Sequence, residues 1–316
     1  MENYYIAIDG GGTKTDAVIF STGGQLINRV IGAGTNPNGM DFNQVTEHFR
    51  KLFSELMSVK KPVSIAGCYA GLSGSDHPAL TRKLANAIKD ACPVKISHLQ
   101  VGNDAMNALW SGTDGRPGLV VIAGTGSIAF GILENGKYFR MGGWGYLFGD
   151  EGSGYAIGRE TVRRVLMVYD GRERETTLIS ALTRYFHVQS INDIVPIVYQ
   201  SSKDVIAGLV PIVASEAEQG DCLAEHILSE AAQDLISLIQ NGMSRFESVP
   251  ETVLVGGVWN SRIIREKVCS EISAPFIFPD YPPVYGSIAK CVNEWECQNE
   301  GLLDSLKKQL MKGKSA

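Results

Sequence analysis

Short apolar runs bounded by glycine or polar residues recur along the first third of the chain. Runs of this kind, about four to eight residues long, indicate buried strands. They occur at residues 4–8, 16–20, 25–30, 63–69 and 96–101. The second and third runs are separated by a Ser-Thr-Gly-Gly sequence at residues 21–24, which is typical of a tight β-turn. The pattern therefore predicts a sheet that begins with a hairpin.

Longer segments carry apolar residues at helical spacing instead. Positions 42, 45, 49, 52, 53, 56 and 57 are apolar, which predicts a helix over residues 42–57. A helix that begins at Asn103 or Asp104 is expected to run towards Trp110, since either side chain can cap a helix N-terminus. The remaining expected elements are helices over 78–91, 262–272, 286–299 and 302–312, largely helical structure over 151–247, and a strand over 253–255.

The opening order of strand, glycine turn, strand, turn and strand occurs a second time over residues 119–140. The second copy has its own glycine-rich turn at residues 124–127 and an Asn-Gly turn at residues 135–136, a strong hairpin signal. Two copies predict two related α/β domains. We place the first domain at residues 1–117 and the second at residues 118–299, with a helix at about 300–316 packing back on the first.

Composition and charge narrow the range of functions. The chain has 316 residues, a net charge of -5 and 44% hydrophobic residues, as in an ordinary globular protein. The mild acidity argues against nucleic acid or an anionic membrane as the main partner. An apolar run of about 18 residues, which a membrane span needs, does not occur, and residues 1–12 lack the features of a signal peptide. We therefore expect a cytoplasmic protein.

The six cysteines and five histidines are scattered along the sequence. They form neither a CxxC pair nor the spacing of a zinc site. This distribution predicts free thiols in a reducing compartment.

The two glycine turns are the main candidates for chemistry. Consecutive glycines allow several backbone N–H groups to face one concavity, which suits phosphate, although such turns also serve only to bend a hairpin. Thr13 and Ser127 would add hydroxyl donors, and Lys14 either adds a positive charge or is a solvated surface residue. The P-loop and dinucleotide motifs do not fit, because no glycine directly precedes Lys14 and a strand follows the first turn.

Five motifs in order resemble a known family. They are DGGGTKT, NDA, AGTGS, GGWGYLFGDEGSG and VGGVWN, and the resemblance runs from residue 6 to about residue 286. The pattern is similar to that of the N-acetylglucosamine kinases, in the BadF/BadG/BcrA/BcrD ATPase-type subgroup of the sugar kinase, Hsp70 and actin superfamily. The resemblance implies a two-lobed, actin-like ATPase (ribonuclease H-like) α/β fold with a nucleotide cleft between two related domains.

The activity implied is transfer of the γ-phosphoryl group of ATP, with Mg²⁺, to the 6-hydroxyl of an amino sugar in amino-sugar salvage. N-acetylglucosamine is the first choice of substrate, and N-acetylmuramic acid or glucosamine are alternatives. A homodimer is expected by analogy with the family.

The family motifs also imply a role for each matching residue. The ATP-binding residues implied are Gly11, Gly12, Thr13, Lys14, Gly124, Thr125, Gly126, Ser127, Gly208, Gly256 and Gly257. The sugar-binding residues implied are Asn36, Asp104, Gly143, Trp144 and Asp150. Asp104 is also the implied catalytic base, and Asp9 is implied to bind Mg²⁺ through water.

Several of these residues have simpler interpretations as well. Asp104 would serve equally as a helix N-cap, and Asp9 as a turn-capping residue. Asn36 precedes a proline, where asparagine commonly forms turns. Glu151 either binds sugar or caps a helix that begins near Ser153.

Two other functions remain open from the sequence. Activator ATPases of 2-hydroxyacyl-CoA dehydratases share the glycine turns, but they hold an iron–sulfur cluster across a dimer through cysteines. Here no cysteine follows Asp150 until Cys222, which counts against that function. A non-catalytic sugar sensor could lose the base, yet Asp104 is present and no helix-turn-helix pattern precedes the first strand.

Overall fold

The computed structural model describes residues 2–38, 40–75, 77–295 and 301–312. Within these residues the strands are β1 (Tyr4–Gly10), β2 (Lys14–Ser21), β3 (Leu26–Ala33), β4 (Ser64–Leu72), β5 (Lys95–Gly102), β6 (Gly118–Ala123), β7 (Ser127–Ile132), β8 (Tyr138–Gly142), β9 (Thr252–Val255) and β10 (Phe276–Ile277). The α-helices are α1 (Phe42–Leu56), α2 (Pro78–Ala91), α3 (Asp104–Thr113), α4 (Gly154–Tyr169), α5 (Leu178–Phe186), α6 (Ile194–Gln200), α7 (Lys203–Ala207), α8 (Val210–Glu218), α9 (Cys222–Met243), α10 (Arg262–Glu271), α11 (Val284–Glu294) and α12 (Leu302–Lys312).

The chain divides into two compact units. Unit 1 comprises Met1–Arg116 and Pro279–Ala316, and unit 2 comprises Pro117–Phe278. The sequence had assigned residues 279–299 to the second domain, whereas α11 lies with unit 1. The physical reason is visible in its hydrogen bonds, because Ser287 Oγ donates to the Ile8 carbonyl at 2.8 Å and Cys291 Sγ donates to the Ile6 carbonyl at 3.4 Å.

Unit 1 is built on a five-stranded mixed sheet in the order β3-β2-β1-β4-β5. Strands β1, β4 and β5 are parallel, and β2 is antiparallel to both β1 and β3. The side chains of β1 and β4 are nearly all buried, as expected for strands covered on both faces. Because the three parallel strands share a direction, their carboxyl ends bring residues 9–10, 71–72 and 101–102 to one edge of the sheet.

Unit 2 repeats this topology in the order β8-β7-β6-β9-β10. Strand β7 is antiparallel to β6 and β8, and β9 is parallel to β6. The duplicated hairpin order expected from the sequence is therefore present in both sheets. The two-residue strand β10 was missed, since it pairs only with β9 and leaves no periodic pattern of its own.

The helix expected over residues 286–299 is observed as α11, Val284–Glu294, and residues 296–299 of that prediction lie outside the described residues. Helix α2 begins and ends as expected at Pro78–Ala91, with a proline at its first turn. Residues 151–247 resolve into six α-helices, α4 to α9, around a core that includes buried residues of α9. In the part of the chain that the structure describes, no helix is both long enough and apolar enough to cross a bilayer.

The C-terminal helix α12 lies against the turn between β2 and β3. The Gln309 amide donates to the Gly24 carbonyl at 2.7 Å and its oxygen accepts from the Leu26 N–H at 3.0 Å. The end of the expected helix, residues 313–316, lies outside the described residues. Five of the six cysteines are described and no disulfide joins any two of them, whereas Cys297 is not among the described residues.

Candidate functional site

The first glycine turn joins β1 to β2 in unit 1. The Gly11 N–H donates to the Lys14 carbonyl at 2.9 Å, so this amide closes the turn. Gly12 and Thr13 are exposed at its tip, and a Cβ built on Gly12 would meet no protein atom within 4 Å. Lys14 is exposed at the start of β2. The open space at Gly12 is what a backbone cradle for a ligand requires.

Asp9 lies directly before this turn, at the end of β1. Its Oδ1 accepts a hydrogen bond of 2.7 Å from the Asn107 side-chain amide. Burial raises the pKa of the Asp9 carboxyl to about 7, and the nearby negative charges of Asp104 and Asp16 act in the same direction. The hydrogen bond from Asn107 and the positive charge of Lys14 lower it. A cation beside Asp9 would stabilise its charged form.

Asp104 is the first residue of α3, which follows β5. Asn103 is the N-cap, because its side chain accepts from the Ala105 N–H at 2.8 Å. The alternative in which Asp104 caps this helix is therefore wrong. Asp104 lies in the first turn, where a negative charge interacts favourably with the helix dipole. It is partly buried and near enough to Asp9 for the two charges to interact.

Asn36 lies in the loop after β3, and its side chain is tied to the loop after β4. The Asn36 amide donates to Ser73 Oγ at 3.0 Å, and Asn36 Oδ1 accepts from the Asn38 N–H at 2.9 Å. The Ser73 N–H in turn donates to the Gly10 carbonyl at 2.7 Å. The predicted sugar ligand and the first glycine turn thus belong to one connected edge of unit 1.

The second glycine turn joins β6 to β7 in unit 2. It closes like the first, since the Gly124 N–H donates to the Gly126 carbonyl at 2.9 Å. The Gly124 carbonyl accepts from the Gly154 N–H at 2.7 Å, which fixes the turn against the start of α4. Thr125 Oγ1 donates to Asp204 Oδ1 at 2.9 Å. A Cβ built on Gly124 would meet no protein atom within 4 Å.

Ser127 and Asp150 connect this turn to the glycine-rich loop before α4. The Ser127 hydroxyl donates to the Glu151 carbonyl at 2.7 Å, so this donor, expected to face phosphate, is engaged within unit 2. Asp150 has a left-handed backbone with φ of 61°, and a Cβ built on Gly126 would lie 2.9 Å from its Oδ2. Burial raises the pKa of the Asp150 carboxyl, while the nearby Ser127 and Gly145 N–H groups and Lys203 act against it.

Glu151 is exposed, and it is not the cap of the helix that follows. Ser153 caps α4 by accepting from the Ala156 N–H at 3.1 Å. The sequence left two roles open for Glu151, helix capping and sugar binding. The structure excludes the capping role.

Gly256 and Gly257 follow β9, directly beside the second turn. Gly256 has φ of 119°, and a Cβ there would lie 2.2 Å from the Ala123 carbonyl oxygen, so glycine is required. A Cβ on Gly257 would meet no protein atom within 4 Å. Gly208 ends α7, where a Cβ would lie 2.8 Å from the Tyr185 hydroxyl. These positions line the edge of unit 2 that carries the second turn, and Gly257 alone among the three is open.

Gly143 and Trp144 belong to the loop after β8. Gly143 has φ of 67°, and a Cβ would collide with the Ile128 side chain at 2.8 Å, so packing already requires this glycine. Trp144 is 68% exposed and its ring lies 4.1 Å from the Arg140 guanidinium carbon. An exposed aromatic face is a suitable surface for the C–H face of a sugar.

The carboxylates of unit 1 suit Mg²⁺, which keeps several of its own waters, better than a metal that is coordinated by protein side chains alone. Among the described residues, no group of three or more His, Cys, Asp or Glu side chains is arranged to hold a metal. Mg²⁺ commonly binds through one or two carboxylates, substrate phosphates and its own waters. Asp9 and Asp104 provide two carboxylates of this kind beside the open turn.

Two polar residues of this edge were missed in the sequence. Asn107 is fully buried and contacts Asp9, and Ser73 connects Asn36 to the first turn. A polar residue inside a predicted helix and a serine in a loop are common, so neither carries a signal of its own. Their partners lie 98 and 37 positions away in sequence, and only the folded sheet brings them together.

Comparison with known proteins assigns the chain to a family and finds relatives that are named as sugar kinases. The model of the BadF/BadG/BcrA/BcrD ATPase family matches residues 6–286. The N-acetylmuramic acid/N-acetylglucosamine kinase of Clostridium acetobutylicum is 32% identical over 266 residues, covering 83% of each chain. The N-acetyl-D-glucosamine kinase of Dictyostelium discoideum is 30% identical over 296 residues, covering 88% of this chain and 91% of its own.

A solved structure from Chromobacterium violaceum has the same fold. It superposes with a TM-score of 0.75 at 24% identity, covering 90% of this chain and 98% of its own. Together with the duplicated sheet order, this similarity confirms the predicted α/β, actin-like ATPase fold class.

Proposed function

Because the chain belongs to the BadF/BadG/BcrA/BcrD ATPase family, we propose that it is an ATP-dependent amino-sugar kinase. The reaction is transfer of the γ-phosphoryl group of ATP to the 6-hydroxyl of the sugar. N-acetylglucosamine is the first choice of substrate, and N-acetylmuramic acid or glucosamine are alternatives. The two relatives above are named for the first two of these sugars, and both match most of this chain.

The observation that carries the proposal is the pair of open glycine turns, one at the end of β1 and one at the end of β6. Gly12 and Gly124 each leave space that a Cβ would occupy without touching protein. In each turn one amide is used to close the turn itself. We propose that amides of the remaining turn residues donate to ATP phosphates, and that Gly257 leaves room for the adenosine.

Asp104 is proposed as the general base. Phosphoryl transfer needs an acceptor hydroxyl that is oriented towards the γ-phosphate, and a carboxylate that accepts its proton serves this purpose. Asp104 shares the edge of unit 1 with the first glycine turn, and the cap of its helix is provided by Asn103. Asp104 is therefore not needed as the cap of this helix.

Asp9 is proposed to hold Mg²⁺ through water. When bound, the metal would neutralise charge on the β- and γ-phosphates. Asp9 contributes a carboxylate beside the first turn, and the energetic cost of its burial among negative charges is relieved when a cation binds nearby.

The sugar is proposed to bind through Asn36, Asp104, Asp150 and the exposed face of Trp144. Asn36 Oδ1 and Nδ2 are already oriented by Asn38 and Ser73, so its conformation is set before a ligand binds. Preorganised polar groups of this kind favour a substrate that hydrogen-bonds to them over one that lacks the matching hydroxyl. A homodimer is expected by analogy, and sedimentation analysis would test it.

The test is ADP formation with purified full-length protein across a panel of sugars. The panel contains N-acetylglucosamine, N-acetylmuramic acid, glucosamine, glucose and a sugar-free control. We expect ADP formation that depends on an amino sugar, and phosphorus-coupled NMR of the product to place the phosphate on the 6-hydroxyl. ATP hydrolysis that is independent of every sugar would favour an activator ATPase, and sugar binding without turnover would favour a sensor.

A further inference from the structure

We propose that Asn107 is a positioning residue, which orients the Asp9 carboxylate for metal binding. This inference rests on the proposed kinase function, and it assigns to α3 a second role beside that of Asp104. Asn107 lies outside the five sequence motifs, and only its place in the fold points to this role.

The geometry consists of one amide and two acceptors. Asn107 Nδ2 donates to Asp9 Oδ1 at 2.7 Å and to the Gly71 carbonyl at 3.1 Å. A side-chain amide carries two N–H groups, so both bonds can form at once. The amide thus joins the end of β1, the end of β4 and the second turn of α3 at a single point.

The bond to Asp9 has a direct chemical consequence. A carboxylate with one oxygen held by a donor loses most of its rotational freedom, so the other oxygen has a defined position. Oδ1 is the oxygen held by Asn107, and Oδ2 is then the one that remains for a metal-bound water. Residues that orient a metal-binding group in this way usually affect metal affinity without touching the metal.

An asparagine at position 107 lowers the stability of the fold. It is fully buried, and among the described residues its Oδ1 has no hydrogen-bond partner. A buried polar atom without a partner destabilises the fold, and an apolar side chain of similar shape would avoid that cost. The bond to the Gly71 carbonyl uses one N–H group of this amide within the fold, and the bond to Asp9 uses the other.

The test uses two variants of Asn107, one control variant, and Asp9→Ala with and without Asn107→Leu, all in the full-length protein. Asn107→Leu keeps a similar shape and removes the donor, and Asn107→Ala serves as a second variant. Ser111→Ala is the matched control, since Ser111 is also buried in α3 and its hydroxyl donates to the Ala108 carbonyl at 2.7 Å rather than to Asp9. Binding of Mn²⁺ is measured by electron paramagnetic resonance with saturating ADP, and the Mg²⁺ dependence and the sugar KM are measured by turnover.

We expect Asn107→Leu to weaken Mn²⁺ binding by about 10-fold, which is typical of a residue that orients a metal-binding group. The half-saturating Mg²⁺ concentration should rise in parallel while the sugar KM stays within about twofold, and Ser111→Ala should match wild type. In an Asp9→Ala background the Asn107→Leu change should cause no further loss, because a residue that acts through Asp9 has nothing left to orient.

Wild-type Mn²⁺ affinity in both Asn107 variants would overturn the assignment. So would a further loss of the same size in the Asp9→Ala background, or failure of both variants to fold, since either result makes Asn107 a structural residue. The proposed function fails separately, if the wild-type protein forms no ADP in response to a sugar. Mn²⁺ binding does not depend on the sugar, so the two failures are distinguishable.

Discussion

Replacing Asp104 by asparagine separates a catalytic role from a structural one. The substitution keeps the shape of the side chain and one acceptor oxygen, and it removes the negative charge and the basicity. Asn103 caps α3 through the Ala105 N–H, so the cap is intact in the variant. Two of its interactions change in a predictable direction, namely the one with the helix dipole and the repulsion between Asp104 and Asp9.

The two changes have opposite effects on stability. The favourable interaction of a first-turn carboxylate with the helix dipole is worth about 0.3–1 kcal/mol. Its loss is partly offset, because the Asp104 charge no longer acts against the charged form of Asp9. The net change in the free energy of unfolding should stay below about 1 kcal/mol, which corresponds to a Tm shift of about 2–4 °C or less in a domain of this size.

The effect on rate should be far larger. A general base contributes roughly 10²–10⁴ in rate, or about 3–5 kcal/mol of barrier. We therefore expect Asp104→Asn to lower kcat by about that factor, while the sugar dissociation constant changes much less. Single-turnover kinetics with the preferred sugar measure the rate, and calorimetry with the same sugar measures binding.

Asn103→Ala provides the reciprocal variant. It removes the cap of α3 and should cost about 1 kcal/mol of stability, which is more than Asp104→Asn, while losing much less rate. A kcat for Asp104→Asn within about threefold of wild type, where a base is worth at least about 10², would refute the catalytic role. A collapse in Tm parallel to the loss of rate would make Asp104 a structural residue instead.

Three further predictions concern the glycines after β9, Asp150, and an ion pair between β2 and β3. Gly257→Ala should raise the ATP KM with little change in Tm, because a Cβ there meets only open space. Gly256→Ala should instead destabilise unit 2 by more than about 1 kcal/mol, because its Cβ would lie 2.2 Å from a carbonyl oxygen and φ is 119°. Equal Tm values for the two variants would contradict this prediction. Asp150→Ala should weaken sugar binding strongly and leave ATP binding nearly intact in calorimetry, and an equal loss of both would mean that this residue holds the fold. Arg29→Ala should lower the free energy of unfolding by about 3 kcal/mol in a urea titration. The reason is that the buried Asp16 carboxylate loses the two hydrogen bonds of 3.0 and 2.6 Å that it accepts from Arg29. A change below about 0.5 kcal/mol, as for an exposed ion pair, would contradict this prediction.

The sequence predicted the features that depend on neighbouring residues. The strand–glycine turn–strand units were visible because apolar alternation and turn residues are local signals. The bounds of α2 followed from a proline at its start and from its apolar spacing. The duplicated sheet order could also be predicted, since the same series of local signals occurs twice in the sequence.

The features that were missed depend on residues far apart in the chain. Strand β10 is recognisable only through its pairing with β9. The assignment of α11 to unit 1 depends on contacts with β1, which lies more than 270 positions earlier. Asn107 resembles any polar helix residue until α3 is placed beside β1 and β4. The partner of the Ser127 hydroxyl, the Glu151 carbonyl, is likewise visible only in the folded chain.

The shared strand order of the two sheets has a consequence for how the chain can lengthen. In unit 1 the central parallel pair joins Ile6 with Cys68, and in unit 2 the corresponding pair joins Val120 with Val253, about twice as far apart in sequence. Because loop-closure entropy grows only with the logarithm of length, the longer connection costs only about 0.7 kcal/mol more. The helices α4 to α9 all lie in that connection. A whole helical layer can therefore lie between two paired strands at almost no loop-closure penalty to the sheet.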